Sequence, residues 1–518
     1  MKSQQPHHYS IRPLIQLIDK DPNDFQRKDL LTIIEKEGIR QLNLYYTGMD
    51  GKLKEVKVPI NNLDYADMIL AQGERLDGSS VFKGIVDASH SDLYIVPIYK
   101  TAFLSPFEEK TMGIMCRFMN SQGELAEFAP DNILLKTHKT LTEKTGYQLN
   151  ALGEIEFYII YDKKDSLFAG LEQRSYHQAA PFVKTGEIIN EMLEVISGLT
   201  GAVKYAHSEV GYIKSLKSTD PELAGKCCEQ YEVEFLPRPV EDMAYYMTLA
   251  KWVIRNIAYQ YKCGVTFTPK LEEGYAGNGL HFHLELVKKG KNMMVTNDGS
   301  LSDDCKKMIG GLCHHAPSLT AFGNTVSSAY LRLVPNQEAP TKISWSENNR
   351  SALIRVPLGW RQTGDMAKKV NAAQKETFDE KKINRQTIEF RSPDGSAHIN
   401  LLLAGMTLAV QEGLTSDTSL ALAEKYYVTK NIFKDESATE ITELSTLPAS
   451  CDESAEALLK DRNFFEQDNL FPKKIVEHIY KKLKKEDDKN INERFAELTA
   501  DQRLQATREI MHKDLHKH

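Results

Sequence analysis

Three observations predict an α+β fold in which a small sheet domain precedes a larger domain. Residues 42–59 alternate apolar and polar side chains around an Asp50-Gly51 pair, the pattern of a β-hairpin. Four later runs (Gly153–Ile160, Tyr231–Phe235, His281–Leu286 and Ile388–Arg391) carry ionisable residues at period two among β-branched and aromatic ones, as half-polar strands do. Amphipathic segments at Glu187–Leu199 and Asp242–Gln260 have the helical spacing needed to cover one face of those strands.

Residues 1 to about 40 read as helix and loop, with helical apolar spacing in Pro13–Ile18 and Leu30–Ile34. The period then changes to two in Leu42–Tyr46 and Leu53–Pro59. Leu76–Ser80 is a turn holding a carboxylate and two hydroxyls, which by itself is a capped loop, and Leu93–Pro97 is the next strand. A helix over Asn132–Lys144 opens the second part, and the domain boundary is placed near residue 115, giving domains 1–115 and 116–518. From Ala397 onward the chain is mostly helical. Lys474–His518 is highly charged, which predicts a solvated helix or a packing arm between subunits.

A chain of 518 residues can bury a large core in two or more domains. Hydrophobic content of 41%, charged content of 26% and a net charge of -7 argue against disorder and against a nucleic-acid binder that relies on overall positive charge. There is no apolar run of membrane-spanning length, and Met1–Pro6 lacks the apolar core of a signal peptide, so a cytoplasmic protein without a membrane partner is expected. The seven cysteines include no C-x-x-C pair and read as reduced, mostly buried thiols.

Glu154 and Glu156, two apart on a strand, must share a face. Two carboxylates side by side at low dielectric repel, and they become tolerable with a cation, a shared proton or open water. An isolated E-x-E is most simply a solvated edge strand, but the repetition in four strands points to one polar cavity. Its donors are carboxylates with an imidazole, a set that suits Mg²⁺ or Mn²⁺ better than zinc. Arg332, Arg350, Arg355 and Arg391 stand in otherwise apolar or turn-like segments, where each requires a carboxylate or phosphate partner. Internal ion pairing accounts for any one of them; four beside metal-type carboxylates point to phosphate handling.

Together, Gly153–Phe157, Asn278–His283, Tyr330–Pro340, Asn349–Pro357 and Ile388–Gly395 resemble the signatures of the glutamine synthetase family, in the family's order, across about residues 40–415. The type I enzymes are the nearest likeness, apart from an inserted loop and the C-terminal arm. The resemblance implies a β-grasp-like N-terminal domain and a larger catalytic domain whose antiparallel sheet lines the active-site cavity. It implies one metal on Glu156, Glu209 and Glu232, and a second, bridging the ATP phosphates, on Glu154, His281 and Glu389. Arg332 and Arg391 would hold glutamate, with Gly277 and Gly279 beside it, while His283, Arg350 and Arg355 would serve ATP. Glu338 would be a flap over the glutamate entrance, and Asp77, Ser80 and Tyr176 would form the ammonium pocket. Asp77 would act on a neighbouring subunit's site, since the family forms homo-oligomeric rings with active sites at subunit interfaces.

The implied reaction joins ammonia to the γ-carboxylate of glutamate through γ-glutamyl phosphate, with ATP as co-substrate. Two other readings stand beside it: a γ-glutamyl-amine ligase using a polyamine, ethanolamine or a similar amine, and a catalytically silent structural or regulatory relative. The first rests on residues 210–231, longer than the family's usual connection between Glu209 and Glu232; the second rests on an altered nucleotide segment and the charged arm. In that segment Glu285 replaces the usual serine, Asn384–Thr387 keeps only Arg385 of a basic pair, and Ala276 replaces an asparagine near glutamate. Cys227-Cys228 and His314-His315 read as structural, and His7-His8, His512, His516 and His518 as solvated tail residues.

Overall fold

The Asp50-Gly51 turn closes as its sequence predicts: β1 (Gln41–Thr47) and β2 (Leu53–Pro59) pair antiparallel, with Gly51 at φ 76°, a conformation glycine adopts without strain. The computed structural model describes residues 10–163, 167–334, 339–360, 363–377, 384–434 and 439–518. In the first sheet, β3 (Glu74–Asp77), β4 (Asp92–Pro97), β5 (Phe103–Leu104) and β6 (Thr111–Met119) complete the order β2-β1-β6-β4-β3, with β5 also on β6. β1 and β6 run parallel, and the helices Arg27–Glu37 and Leu63–Gln72 bury Leu30, Ile33, Ile69 and Leu70 in the common core. Residue 115 lies inside β6, so the boundary drawn there cuts a paired strand; the first sheet ends at Met119.

The second sheet has ten strands: β7 (Gln148–Tyr161), β8 (Val203–Ile213), β9 (Cys227–Phe235), β10 (Arg238–Pro239), β11 (Gly264–Thr266), β12 (Leu280–Lys288), β13 (Lys291–Asn292), β14 (Trp345–Glu347), β15 (Ile354–Val356) and β16 (Ile388–Phe390). Its main path is β14-β15-β16-β12-β7-β9-β8, antiparallel throughout except at β14/β15. The four strands predicted from period-two ionisable residues are thus β7, β9, β12 and β16 of one sheet. Along β7, Ile155, Phe157 and Ile159 alternate with the glutamates and are fully buried. The helix Val240–Gln260 packs on β7 and is itself covered by Pro130–Thr145 and Ile399–Thr415, and Asp303–Gly323 packs on Ile399–Thr415. Arg332, in a segment that reads as apolar or turn-like, lies in a helical turn, Ala329–Arg332.

The C-terminal region corrects the expectation of a solvated or intersubunit arm, because it folds onto its own chain. Its first helix, Lys473–Lys484, places Ile475, Val476, Ile479 and Leu483 on one face, and all four are buried, while Lys473, Lys474 and Lys481 are exposed and Lys482 and Lys484 are half-buried. Farther on, Thr266 Oγ1 donates to the carbonyl of Leu515 (2.7 Å) and Thr268 Oγ1 to that of Met511 (3.1 Å). Arg508 pairs with the buried Glu272 at 3.1 Å, and Lys513 with Glu486 at 2.6 Å. His512 and His518 are half-buried rather than solvated, whereas His7 and His8 lie outside the described residues. The 214–226 connection takes part: Leu216 and Leu223 form a small apolar cluster with Tyr158, Ile160, Leu271 and Leu515.

Because Leu483 is fully buried under this tail, Leu483→Ala should lower stability by about 2–5 kcal/mol, the usual cost of a lost core side chain plus its cavity. Denaturant unfolding of the purified protein measures it; an unchanged midpoint would mean that the tail does not pack on its own chain.

Candidate active site

Strand register brings the ionisable residues into one row. Glu389 of β16 lies opposite His283 of β12, His281 of β12 opposite Glu154 of β7, Glu156 opposite Glu232 of β9, and Glu232 opposite His207 of β8. Facing residues in an antiparallel pair project to the same side, so five strands contribute to a single polar face.

The side chains close on one another accordingly. Glu154 accepts from His283 Nε2 (2.8 Å) and meets His281 Nδ1 at 3.0 Å, while His281 Nδ1 is also 3.7 Å from Glu389. Glu232 lies 3.2 Å from His207 Nε2, and His207 Nδ1 is 3.7 Å from Glu209. Gly279 N donates to Glu156 at 2.6 Å. Burial would raise the Glu154 carboxyl, but His283 and His281 outweigh it and hold the group well below its ordinary range. Glu232 goes the other way: burial and then Glu154, Glu156, Glu209 and Glu234 push it well above, because the carboxylates outnumber their cationic partners.

In this row, among the described residues, three sets each bring their ligand atoms within 4.8 Å of one another: Glu154/His283/Glu389, Glu154/His281/Glu232 and His207/Glu209/Glu232; a fourth, His314/His315/Glu412, lies elsewhere. Oxygen-rich, partly imidazole and short of positive charge, this donor set fits hard divalent cations.

The arginines stand on one flank. Arg355 Nη1 and Arg391 Nε each pair with Glu389 at 2.9 Å, and Arg391 also donates to the carbonyl of Arg350. Burial alone would raise the Glu389 carboxyl, yet Arg391 and the two histidines bring it down. Arg332 Nη1 donates to the carbonyl of Ser392 (2.9 Å), with Nη2 3.2 Å from His281 Nε2. The internal pairing weighed from sequence therefore holds for Arg355 and Arg391. Glu285, at the edge of this region, is held by Asn150 (2.9 Å) and Asn292 (2.5 Å).

Over residues 38–121 the chain matches the β-grasp domain of glutamine synthetase, and over residues 127–502 its catalytic domain. The protein belongs to the glutamine synthetase family. It is therefore an enzyme of the glutamate–ammonia ligase family, which is ATP-dependent and metal-binding. It is 31% identical over 426 residues to the glutamine synthetase of Thermococcus kodakarensis, covering 82% of this chain and 84% of that one. The enzyme of Methylococcus capsulatus is 28% identical over 476 residues, 87% of this chain and 93% of the other. Among solved structures, Plasmodium falciparum glutamine synthetase superposes with a TM-score of 0.71 at 20% identity, covering 92% and 98% of the two chains. Ligand-free GmaS gives 0.69 at 18% identity, with the same coverage.

Within this glutamine synthetase fold the remaining predicted residues divide. Tyr176 stands beside the row: Ser208 Oγ donates to Ser175 O (2.7 Å) and His177 N to Ser208 O (2.9 Å), docking its segment on β8. Its ring stacks on His177 and comes within 5.4 Å of the His207 ring. Asp77 and Ser80 are not joined to the row; among the described residues, no hydrogen bond or ion pair links their turn to the carboxylates of the same chain. Asp77 is exposed at the end of β3, accepting from Ser79 N (2.9 Å), Ser79 Oγ (2.7 Å) and Ser80 Oγ (2.5 Å), which lower its carboxyl to about 2. Arg350 is exposed, and Glu338 lies outside the described residues.

Sequence reasoning missed His207 and His177. His207-Ser208-Glu209 repeats the period-two pattern of Glu154 and Glu156, and that signal was available; His177 has no periodic signal and arrives through a loop.

Gly277 and Gly279 leave room for the row. A side chain at Gly279 would collide with His281 Nε2 and come within 2.8 Å of Arg332 Nη2. Gly279→Ala should displace His281 or Arg332 and reduce turnover at least tenfold with little change in melting temperature; turnover at the unsubstituted level would mean that this close approach is dispensable.

Proposed function

We propose that the protein makes glutamine from glutamate and ammonium with ATP, using Mg²⁺ or Mn²⁺. The observation that carries this reading is the row of Glu389, His283, His281, Glu154, Glu156, Glu232 and His207 in register across five strands, flanked by Arg332, Arg355 and Arg391. In our reading Glu156, Glu209 and Glu232 would hold one divalent ion and Glu154, His281 and Glu389 a second, with His207 at 3.2 Å from Glu232 and His283 at 2.8 Å from Glu154. Such ions, when bound, supply charge neutralisation for the carboxylates and for the transferring phosphoryl group.

The residues of the chain then divide the work. Arg332 and Arg391 orient glutamate so that a γ-carboxylate oxygen attacks the terminal phosphorus of ATP and ADP leaves; His283, Arg350 and Arg355 face the phosphates. Gly277 and Gly279 keep the glutamate position open. Ammonia next attacks the acyl carbon and phosphate departs, while Glu338 covers the entrance and keeps water out. Asp77, Ser80 and Tyr176 receive ammonium. An exposed Asp77 ionising near 2 suits attraction of a cation; burial against a neighbouring subunit would raise its proton affinity toward what proton removal needs. Its separation from the row within one chain supports action in trans, and hence a ring-like homo-oligomer. No helix among the described residues is long and apolar enough to cross a membrane, in keeping with a cytoplasmic setting for small-molecule substrates.

The test is phosphate release with Mg²⁺, ATP and glutamate, comparing ammonium with a panel of organic amines and identifying products by mass. Ammonium-dependent turnover yielding glutamine is expected; turnover with organic amines alone would make the protein a γ-glutamyl-amine ligase instead. Asp77→Ala should reduce the ammonium-dependent rate by about 10²-fold or more while leaving metal-dependent ATP binding intact, and an unchanged rate would remove Asp77 from the ammonium pocket.

A further inference from the structure

A second concentration of charge lies apart from the carboxylate row, and its sign is opposite. Between the β1–β2 hairpin and the C-terminal tail is a cavity of about 270 Å³ whose wall includes Lys52, Lys83, His398, His478, Lys482 and Lys517, with Ser80 at its edge. It adjoins a second cavity of about 260 Å³, and the two share Asp50, Lys52, Ser396, Lys517 and His518. Among the described residues, Asp50 is the sole side-chain carboxylate lining either cavity, and it pairs with Lys54 at 3.0 Å.

The polar nitrogens of the wall are poorly satisfied. His398 is 2% exposed, and neither of its ring nitrogens has a hydrogen-bond partner among the described residues; His518 Nε2 is likewise buried without one. Lys251, on the wall of the second cavity, is 8% exposed; its ammonium donates to the carbonyl of Gly395 (2.7 Å) and lies over the face of Phe267, with Asp394 the carboxylate that acts on it. Burial, then Arg255, pulls its ammonium down to about 7; burial, then Lys482, pulls His398 to about 3. Buried polar nitrogens without partners and clustered like charges are each costly, and one anion would relieve both.

We propose that this basic cavity binds a small phosphate-type anion. The donors are lysine ammonium groups and imidazoles, point-like and divergent, which suits the many acceptor oxygens of a tetrahedral oxyanion better than the planar fork of a carboxylate. The cavity's size admits one such group with part of a substituent. Its wall is also connected to the row: Ser392, which accepts from Arg332, leads through Asp394 to Ser396 and His398, and Asp394 is tied down by Asn324 (2.7 Å). An anion on His398 therefore braces the far side of the loop that carries Glu389 and Arg391. The inference does not depend on which amine the enzyme uses.

Isothermal titration of the purified full-length protein, in EDTA so that divalent ions are excluded, tests it with orthophosphate and with phenyl phosphate as probes. One saturable site per chain is expected for at least one of them. Lys52→Gln/Lys482→Gln should weaken binding tenfold or more, whereas Arg350→Gln/Arg355→Gln should leave it unchanged. Should the double variant fail to fold, Lys83→Gln on the exposed rim is read in its place, with at least threefold weakening expected. Absence of saturable binding by either probe, affinity that survives the lysine substitutions, or loss confined to the arginine variant would overturn the proposal.

Discussion

Repulsion among buried carboxylates is the constraint on which the rest of the structure depends. Glu154, Glu156, Glu232, Glu234 and Glu389 are placed by backbone pairing on one face of one sheet, and no side-chain rotation separates them. Charge of that density is tolerated only where cations answer it, and the fold supplies His281, His283, Lys204, Arg355 and Arg391 at salt-bridge distance. Glu232 remains the group least compensated, which marks where further positive charge is best accommodated.

Rigidity follows from the other face of the same strands. Ile155, Phe157 and Ile159 alternate with the glutamates and bury against a helical layer, so the strand that carries the charges is also a principal core element. A shift of one residue in β7 would expose the apolar set and bury the glutamates in the core; packing and electrostatics therefore specify the same register. The cost of crowding the charges is met by apolar burial on the reverse side.

The tail extends this logic to the outside of the sheet. Its lysines made it read as a solvated appendage, yet Ile475, Val476, Ile479 and Leu483 form an apolar stripe, and the last residues cap Thr266 and Thr268 beside β11. Lys482, Lys517 and His518 are thereby brought against the first sheet's hairpin, joining the two ends of the chain around a positively charged space. The 214–226 connection between β8 and β9 shares the role, since Leu216 and Leu223 pack with Leu515.

The sequence by itself determined the α+β class, the Asp50-Gly51 hairpin, the four half-polar strands and the identities of Glu154, Glu156, His281 and Glu389, because strand periodicity and turn chemistry are local properties. Glu232 carries the same strand periodicity, whereas Glu209 became meaningful only through the family resemblance, and His207 escaped notice although it stands two residues before Glu209. Partnership was not legible: that Glu156 faces Glu232 and His283 faces Glu389 depends on pairing of strands far apart in the chain, and the docking of Tyr176 through Ser208 depends on a loop returning to β8. The charged tail was misread because composition describes how much charge a helix carries, while burial depends on which face carries it. Local pattern thus named the groups and the faces they occupy. Only the tertiary structure decided which groups meet, since long-range pairing and packing bring together residues whose separation in the chain carries no record of their contact.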